Sequence, residues 1–238
     1  MPKKAAPKQA SNQPTSPNIF AQARAAMVEG QLRPNKITNP ALLARFGQVA
    51  REDFTSPTAQ HLAYLDQPAP MDAAHSRHLQ VPMATARLLQ ELNLTPQTRL
   101  LVLQGGTGYS AAIAAPLVGR LVYAESDETM LKSAQNLLKS YPNIAYQSIQ
   151  SNSDTALLAH YFNAILIDTP FEHLPIFQSL TTMLDEGGIL AATRLNSNTG
   201  LPTLFTLTKR GKKLIEKDIT ETKIPIPTAY QATPAFHF

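Results

Sequence analysis

Apolar residues in the first third of the chain recur at helical spacing. Leu42, Leu43, Phe46, Val49 and Ala50 fall on one face of a helix. Asn39 followed by Pro40 starts that helix, because an asparagine side chain caps the free N–H groups and proline's fixed φ suits the first position. A second helix opens at Pro82, turns Met83, Ala86, Leu89 and Leu92 inward and stops before Pro96. Residues 55–81 between them read as loop. Helical texture begins at Ile19. Residues 1–18 hold only alanines and the initiator methionine as apolar groups, too few to offset the entropy of ordering them, so a disordered tail is predicted there.

After Pro96 the period changes. Short apolar runs at Leu100–Leu103, Leu121–Ala124, Ile144–Ile149, Asn163–Ile167 and Ile189–Thr193 alternate with helical stretches: one from the glycine turn to Val118, then Asp127–Lys139 and His173–Leu184. Such alternation predicts an α/β domain, a mostly parallel sheet covered on both faces. Thr203–Thr208 and Lys213–Thr220, joined by Lys209-Arg210-Gly211-Lys212, read instead as a hairpin that closes the sheet with an antiparallel edge. The expected organisation is a tail (1–18), a helical N-terminal part (19–95) and an α/β nucleotide-fold core (96–238).

Composition narrows the function. With 238 residues, 43% hydrophobic and 16% charged, the chain can bury a substantial core. The net charge of +4 is mostly the tail's Lys3, Lys4 and Lys8, so the body is nearly neutral and a nucleic-acid partner is not expected. No apolar run reaches the roughly 18 residues of a membrane span, and no apolar stretch follows Lys3 and Lys4, so neither a transmembrane segment nor secretion is expected. Absence of cysteine excludes thiol catalysis and Cys-ligated metals and suits a reducing interior. The cytoplasm is the expected location. A mitochondrial matrix location is the alternative, opposed by the tail's prolines and lack of arginine. His75 and His78 are expected to be loop histidines rather than metal ligands.

The stretch from Leu100 to Ala112 carries the chemistry: a buried strand, then Gly105, Gly106, Thr107 and Gly108, then a helix of small residues. Glycine lets backbone approach a ligand closely, and a helix start offers free N–H groups. Gly106-Thr-Gly108-Tyr-Ser-Ala111 meets the dinucleotide fingerprint, with Glu125 at the end of the second strand placed to accept from ribose hydroxyls. Asp127 reads as a helix cap. NAD and S-adenosylmethionine satisfy this pattern equally.

Met27-Val-Glu-Gly-Gln-Leu-Arg-Pro34, Val49-Ala-Arg-Glu-Asp-Phe54, Ala63-Tyr-Leu-Asp66, Pro82, the Gly106-Thr-Gly108-Tyr turn, Tyr123-Ala-Glu125 and Phe162-Asn-Ala-Ile-Leu-Ile-Asp168 follow one another in a specific order. In that order the chain resembles the protein-L-isoaspartate O-methyltransferase family over nearly its whole length beyond the tail. The resemblance implies a seven-stranded class I methyltransferase fold and S-adenosylmethionine as cofactor, with Gly105, Gly106, Thr107 and Gly108 lining it and Glu125 on its ribose. It also implies methylation of the carboxylate formed when Asn or Asp isomerises in a protein or peptide substrate.

Departures from the family are specific. Val102 replaces an acid and Gln104 the first glycine of the loop, so the cofactor's ammonium loses an acceptor, and an unpaired buried donor costs about 1–3 kcal/mol. Gly105 offers a local shift that would restore the turn. Gln80, within His78-Leu-Gln-Val-Pro82, stands where the family has a serine hydroxyl near the substrate carboxylate. Gln147-Ser-Ile-Gln-Ser-Asn-Ser-Asp154 brings an acid only late, at Asp154, where the family places one near the adenine. Weakened cofactor binding is therefore expected. The alternative reading is a catalytically lapsed protein serving as a binding or structural subunit of a larger assembly.

Overall fold

A computed structural model of the chain describes residues 16–149 and 161–232. The tail through residue 15, and Asp154, lie outside the described residues. Helix α1 (Ser16–Met27) starts three residues ahead of the expected boundary at Ile19 and continues into a π-helical turn, Val28–Leu32. Helix α2 (Pro40–Gln48) is capped by Asn39, whose side-chain oxygen accepts from the Leu42 amide at 3.1 Å, and buries Leu42, Leu43 and Phe46. Helix α3 (Pro82–Glu91) buries Ala84, Ala86, Leu88 and Leu89. The segment read as loop holds 3-10 turns and a two-stranded antiparallel hairpin, β1 (Ala69–Pro70) and β2 (His78–Leu79), too short for any period to announce.

The main sheet has seven strands, β3 (Arg99–Leu103), β4 (Arg120–Glu125), β5 (Ile144–Ser148), β6 (Phe162–Phe171), β7 (Leu184–Leu195), β8 (Pro202–Arg210) and β9 (Lys213–Glu221), in the order β5-β4-β3-β6-β7-β8-β9. The first five in that order are parallel, and β8 and β9 add an antiparallel edge. Side chains alternate between faces along each strand. Leu100, Val102, Tyr123 and Leu166 therefore pack with α2 and α3 on one side, while Leu101, Leu103, Val122, Ile165 and Ile167 join Phe205 and Leu180 on the other. Both faces are covered, which explains the near-continuous apolar runs. The chain leaves β3 toward β4 on one side and finds β6 on the other, so the C-terminal end of β3 is a topological switch point, where ligands bind in such sheets.

Helices α4 (Tyr109–Ala114) and α5 (Glu128–Leu137, capped by Asp127) follow β3 and β4 as expected. Helix α6 (Phe177–Met183) starts four residues later than the pattern indicates, because the Glu172 and His173 amides both donate to the Tyr230 carbonyl, at 2.8 and 3.0 Å, and hold that backbone against the C-terminal segment. The β8–β9 turn centres on Gly211, whose φ of +57° favours glycine. Among the described residues no helix is long and apolar enough to cross a membrane.

Candidate nucleotide site

Beyond β3 the chain reverses through left-handed residues at Gln104 (φ +56°), Gly106 (+62°) and Gly108 (+97°), and α4 begins at Tyr109. Gln104 itself is left-handed, whereas Gly105 is not, so the turn does not shift onto Gly105. A left-handed residue with a Cβ costs about 1–2 kcal/mol. Gln104 is held there by its amide, which donates to the Ala124 carbonyl at 2.8 Å, and by its side chain, which meets Ser126 Oγ at 3.0 Å. Gly105 is needed for a different reason, since a Cβ there would lie 2.6 Å from the Tyr123 ring.

Glu125 ends β4, fully buried. Its Oε2 accepts from the Gly106 amide at 2.8 Å, and its Oε1 from the Ser126 and Asp127 amides at 2.9 and 3.1 Å. Facing it is Arg77, itself 7% exposed, whose Nη1 and Nη2 reach the two carboxylate oxygens at 3.3 and 3.4 Å. Nη2 also donates to the Gln104 carbonyl at 2.7 Å, and the guanidinium lies 6.0 Å from the Tyr230 ring. Met71, across the hairpin from Arg77, covers Gly106 closely enough that a Cβ there would collide with its sulfur. Gly105, Gly106, Thr107 and Gly108 are all buried, and Tyr123 Oη donates to the Gly106 carbonyl at 2.7 Å. The Thr107 hydroxyl donates to the Phe54 carbonyl at 2.6 Å, so it secures the turn to the N-terminal part. Val102 sits in the sheet between Tyr123 and Leu166, wholly buried.

Gln80 spans the ends of two strands. Its Nε2 donates to the Asp168 carbonyl at 3.0 Å and its Oε1 accepts from Thr193 Oγ1 at 2.8 Å. Its carbonyl accepts from Arg51, a fully buried guanidinium 4.6 Å from the Tyr109 ring, which also donates to the Ala63 carbonyl at 2.7 Å. The Asp168 carboxylate accepts from Ser110 Oγ. Sequence placed Asp168 only as the end of a strand; here burial pushes its carboxyl up to about 6, against the lowering influence of Ser110, Arg77 and Arg51. A raised carboxyl pKa means that the folded state binds the extra proton between pH 4 and 6, so this group makes stability fall as pH rises through that window. Asp168→Asn should flatten the fall, by about 3 kcal/mol over the window, in urea denaturation at pH 4 and pH 7. Equal pH slopes in both proteins would mean that Asp168 is solvated.

The rings of His75 and His78 stand 6.3 Å apart. Among the described residues no group of three or more His, Asp or Glu side chains could hold a metal.

A glycine turn at the switch point of a 5-4-3-6-7-8-9 sheet, a carboxylate at the end of the adjoining strand and an antiparallel closing pair define a class I methyltransferase fold. Residues 22–231 match the family of protein-L-isoaspartate(D-aspartate) O-methyltransferases. The chain belongs to that family. It is 31% identical over 179 residues to a protein-L-isoaspartate O-methyltransferase of Herpetosiphon aurantiacus, covering 74% of this chain and 77% of the relative. With one from Methylorubrum populi it shares 31% over 197 residues, covering 82% and 89%. Among solved structures, a protein-L-isoaspartate O-methyltransferase superimposes with a TM-score of 0.71 at 18% identity, over 85% of this chain and 65% of that one. A beta-aspartate methyltransferase from Plasmodium falciparum, in complex with S-adenosyl-L-homocysteine, gives 0.69 at 17%, over 87% and 98%.

Proposed function

We propose that this chain is an S-adenosylmethionine-dependent carboxyl O-methyltransferase acting on isoaspartyl or related carboxylates in proteins or peptides. The observation that carries this reading is Glu125, whose carboxylate is anchored by three backbone amides beside the left-handed turn at the switch point. The donor set suits the adenosine part of the cofactor: Glu125 would hold the ribose hydroxyls, and Gly106 and Gly108 bring backbone close. The amino-acid part is served less well, because Val102 offers no acceptor for an ammonium and the Gln104 side chain is engaged by Ser126. Binding is accordingly weaker than in a relative that keeps the acid and the first glycine.

S-adenosylmethionine, when bound, supplies an already activated methyl group. A substrate carboxylate is ionised at neutral pH, so no general base is required of the chain. Its residues act by positioning and by excluding water. Gln80 ties the N-terminal part to the ends of β6 and β7 beside Asp168, and Arg51 holds the Gln80 backbone in place.

A second reading, a lapsed enzyme kept as a binding or structural subunit, is favoured by one specific observation: the turn from Gln104 to Gly108 is buried, with the chain's own Met71 and Arg77 over Gly106 and Arg77 on the Gln104 carbonyl. Methyl transfer from labelled S-adenosylmethionine to an isoaspartyl peptide separates the two. Base-labile methyl ester on that peptide, and none on its aspartyl counterpart, is the expected result. No ester at any enzyme concentration would leave the second reading.

A further inference from the structure

Glu125 has no acceptor capacity left. An ionised carboxylate offers about four lone-pair sites, and here the amides of Gly106, Ser126 and Asp127 and both terminal nitrogens of Arg77 converge on them. Ribose hydroxyls can reach Glu125 only if Arg77 leaves. We propose that the β1–β2 hairpin is a latch that shuts the nucleotide crevice, with Arg77 on Glu125 and Met71 on Gly106. An S-adenosyl ligand then binds only those molecules whose hairpin has swung away. This rests on the reading that the crevice takes such a ligand.

The hairpin is built to move as a unit. Asp72 accepts from the Ser76 amide and hydroxyl, at 2.9 and 2.6 Å, and from the Arg77 amide at 3.1 Å, while the Met71 amide donates to the Arg77 carbonyl at 2.9 Å. Those bonds lock Met71 and Arg77 side by side and are unaffected by a rigid swing. The hairpin forms its own two-stranded sheet and pairs with no strand of the seven-stranded one. Opening therefore breaks no ladder. It breaks the Arg77 contacts with Glu125, the Gln104 carbonyl and the Tyr230 ring, together with the 2.8 Å bond from the Ser56 amide to the Pro70 carbonyl, and it uncovers Gly106 and the buried Ala69 and Leu79. A minor open state of this kind is commonly populated at about 0.1–10%, and apparent affinity falls by that fraction.

The test is calorimetric titration of the full chain with S-adenosylhomocysteine, in the wild type, Arg77→Gln and Asp72→Ala. Glutamine leaves Glu125 satisfied by its three amides while removing the competing cation. Asp72→Ala touches nothing in the crevice and only loosens the turn that presents Arg77. Arg77→Gln should bind at least tenfold more tightly than the wild type, and Asp72→Ala should lie between them. The ligand-induced rise in melting temperature should also be larger in both variants. If Arg77→Gln does not fold, Asp72→Ala decides. Wild-type affinity in the folded variants would overturn the latch and leave the nucleotide reading standing; no binding by any of the three proteins would overturn both.

Discussion

Glu125→Ala should lower stability by about 3–5 kcal/mol, the usual consequence of removing one partner from a buried ion pair. The loss has two parts. Arg77 would remain buried with the Gln104 carbonyl as its chief remaining acceptor, and the amides of Gly106, Ser126 and Asp127 would lose their common one. Each buried donor left unpaired adds its own desolvation penalty. Glu125→Gln should fall between, since an amide oxygen still accepts from part of this set but cannot neutralise the guanidinium. Urea denaturation at neutral pH measures both. A change below 1 kcal/mol in the alanine variant would show that water already solvates the pair, and the buried crevice described above would then be wrong.

The second large effect concerns Val102 and Gln104, where the family resemblance implies an acid and a glycine. Val102→Asp alone should destabilise the cofactor-free chain by about 4 kcal/mol at pH 7, because the new carboxyl would be buried between Tyr123 and Leu166 and burial raises a carboxyl pKa by several units. That penalty should shrink as pH falls and the group takes up its proton. Gln104→Gly removes a left-handed side chain and should recover about 1 kcal/mol. The double variant should bind S-adenosylmethionine more tightly than the wild type, as the new carboxylate meets the ammonium. Denaturation with and without cofactor checks both halves. Unaltered cofactor affinity in a folded double variant would show that Val102 and Gln104 do not limit cofactor binding.

What could be read from sequence followed from local rules. Asn39-Pro40 and Asp127 announce helix starts because capping is settled within a few residues, and both cap in the structure. The glycine turn is legible because left-handed backbone after a strand favours glycine, and Glu125 because a carboxylate at a strand end can accept from the free amides around it. Arg77 and Met71 were not legible. They lie in the turn between two strands of two residues each, and the pairing of Arg77 with Glu125 joins positions 48 apart with no periodic signal. Gln80 reads in sequence as the loss of a hydroxyl, whereas its long side chain bridges two strand ends that lie far apart in the chain. Helix α6 starts later than its pattern indicates for a similar reason, since the Tyr230 carbonyl that claims the Glu172 and His173 amides comes almost sixty residues later.

Calorimetric titration of the wild-type chain with S-adenosylmethionine decides whether the crevice takes the cofactor. A turn at the switch point backed by an anchored Glu125 predicts saturable binding of one molecule per chain, weaker than in relatives with an intact loop. Absence of binding at millimolar cofactor, in the wild type and in Arg77→Gln alike, would contradict it.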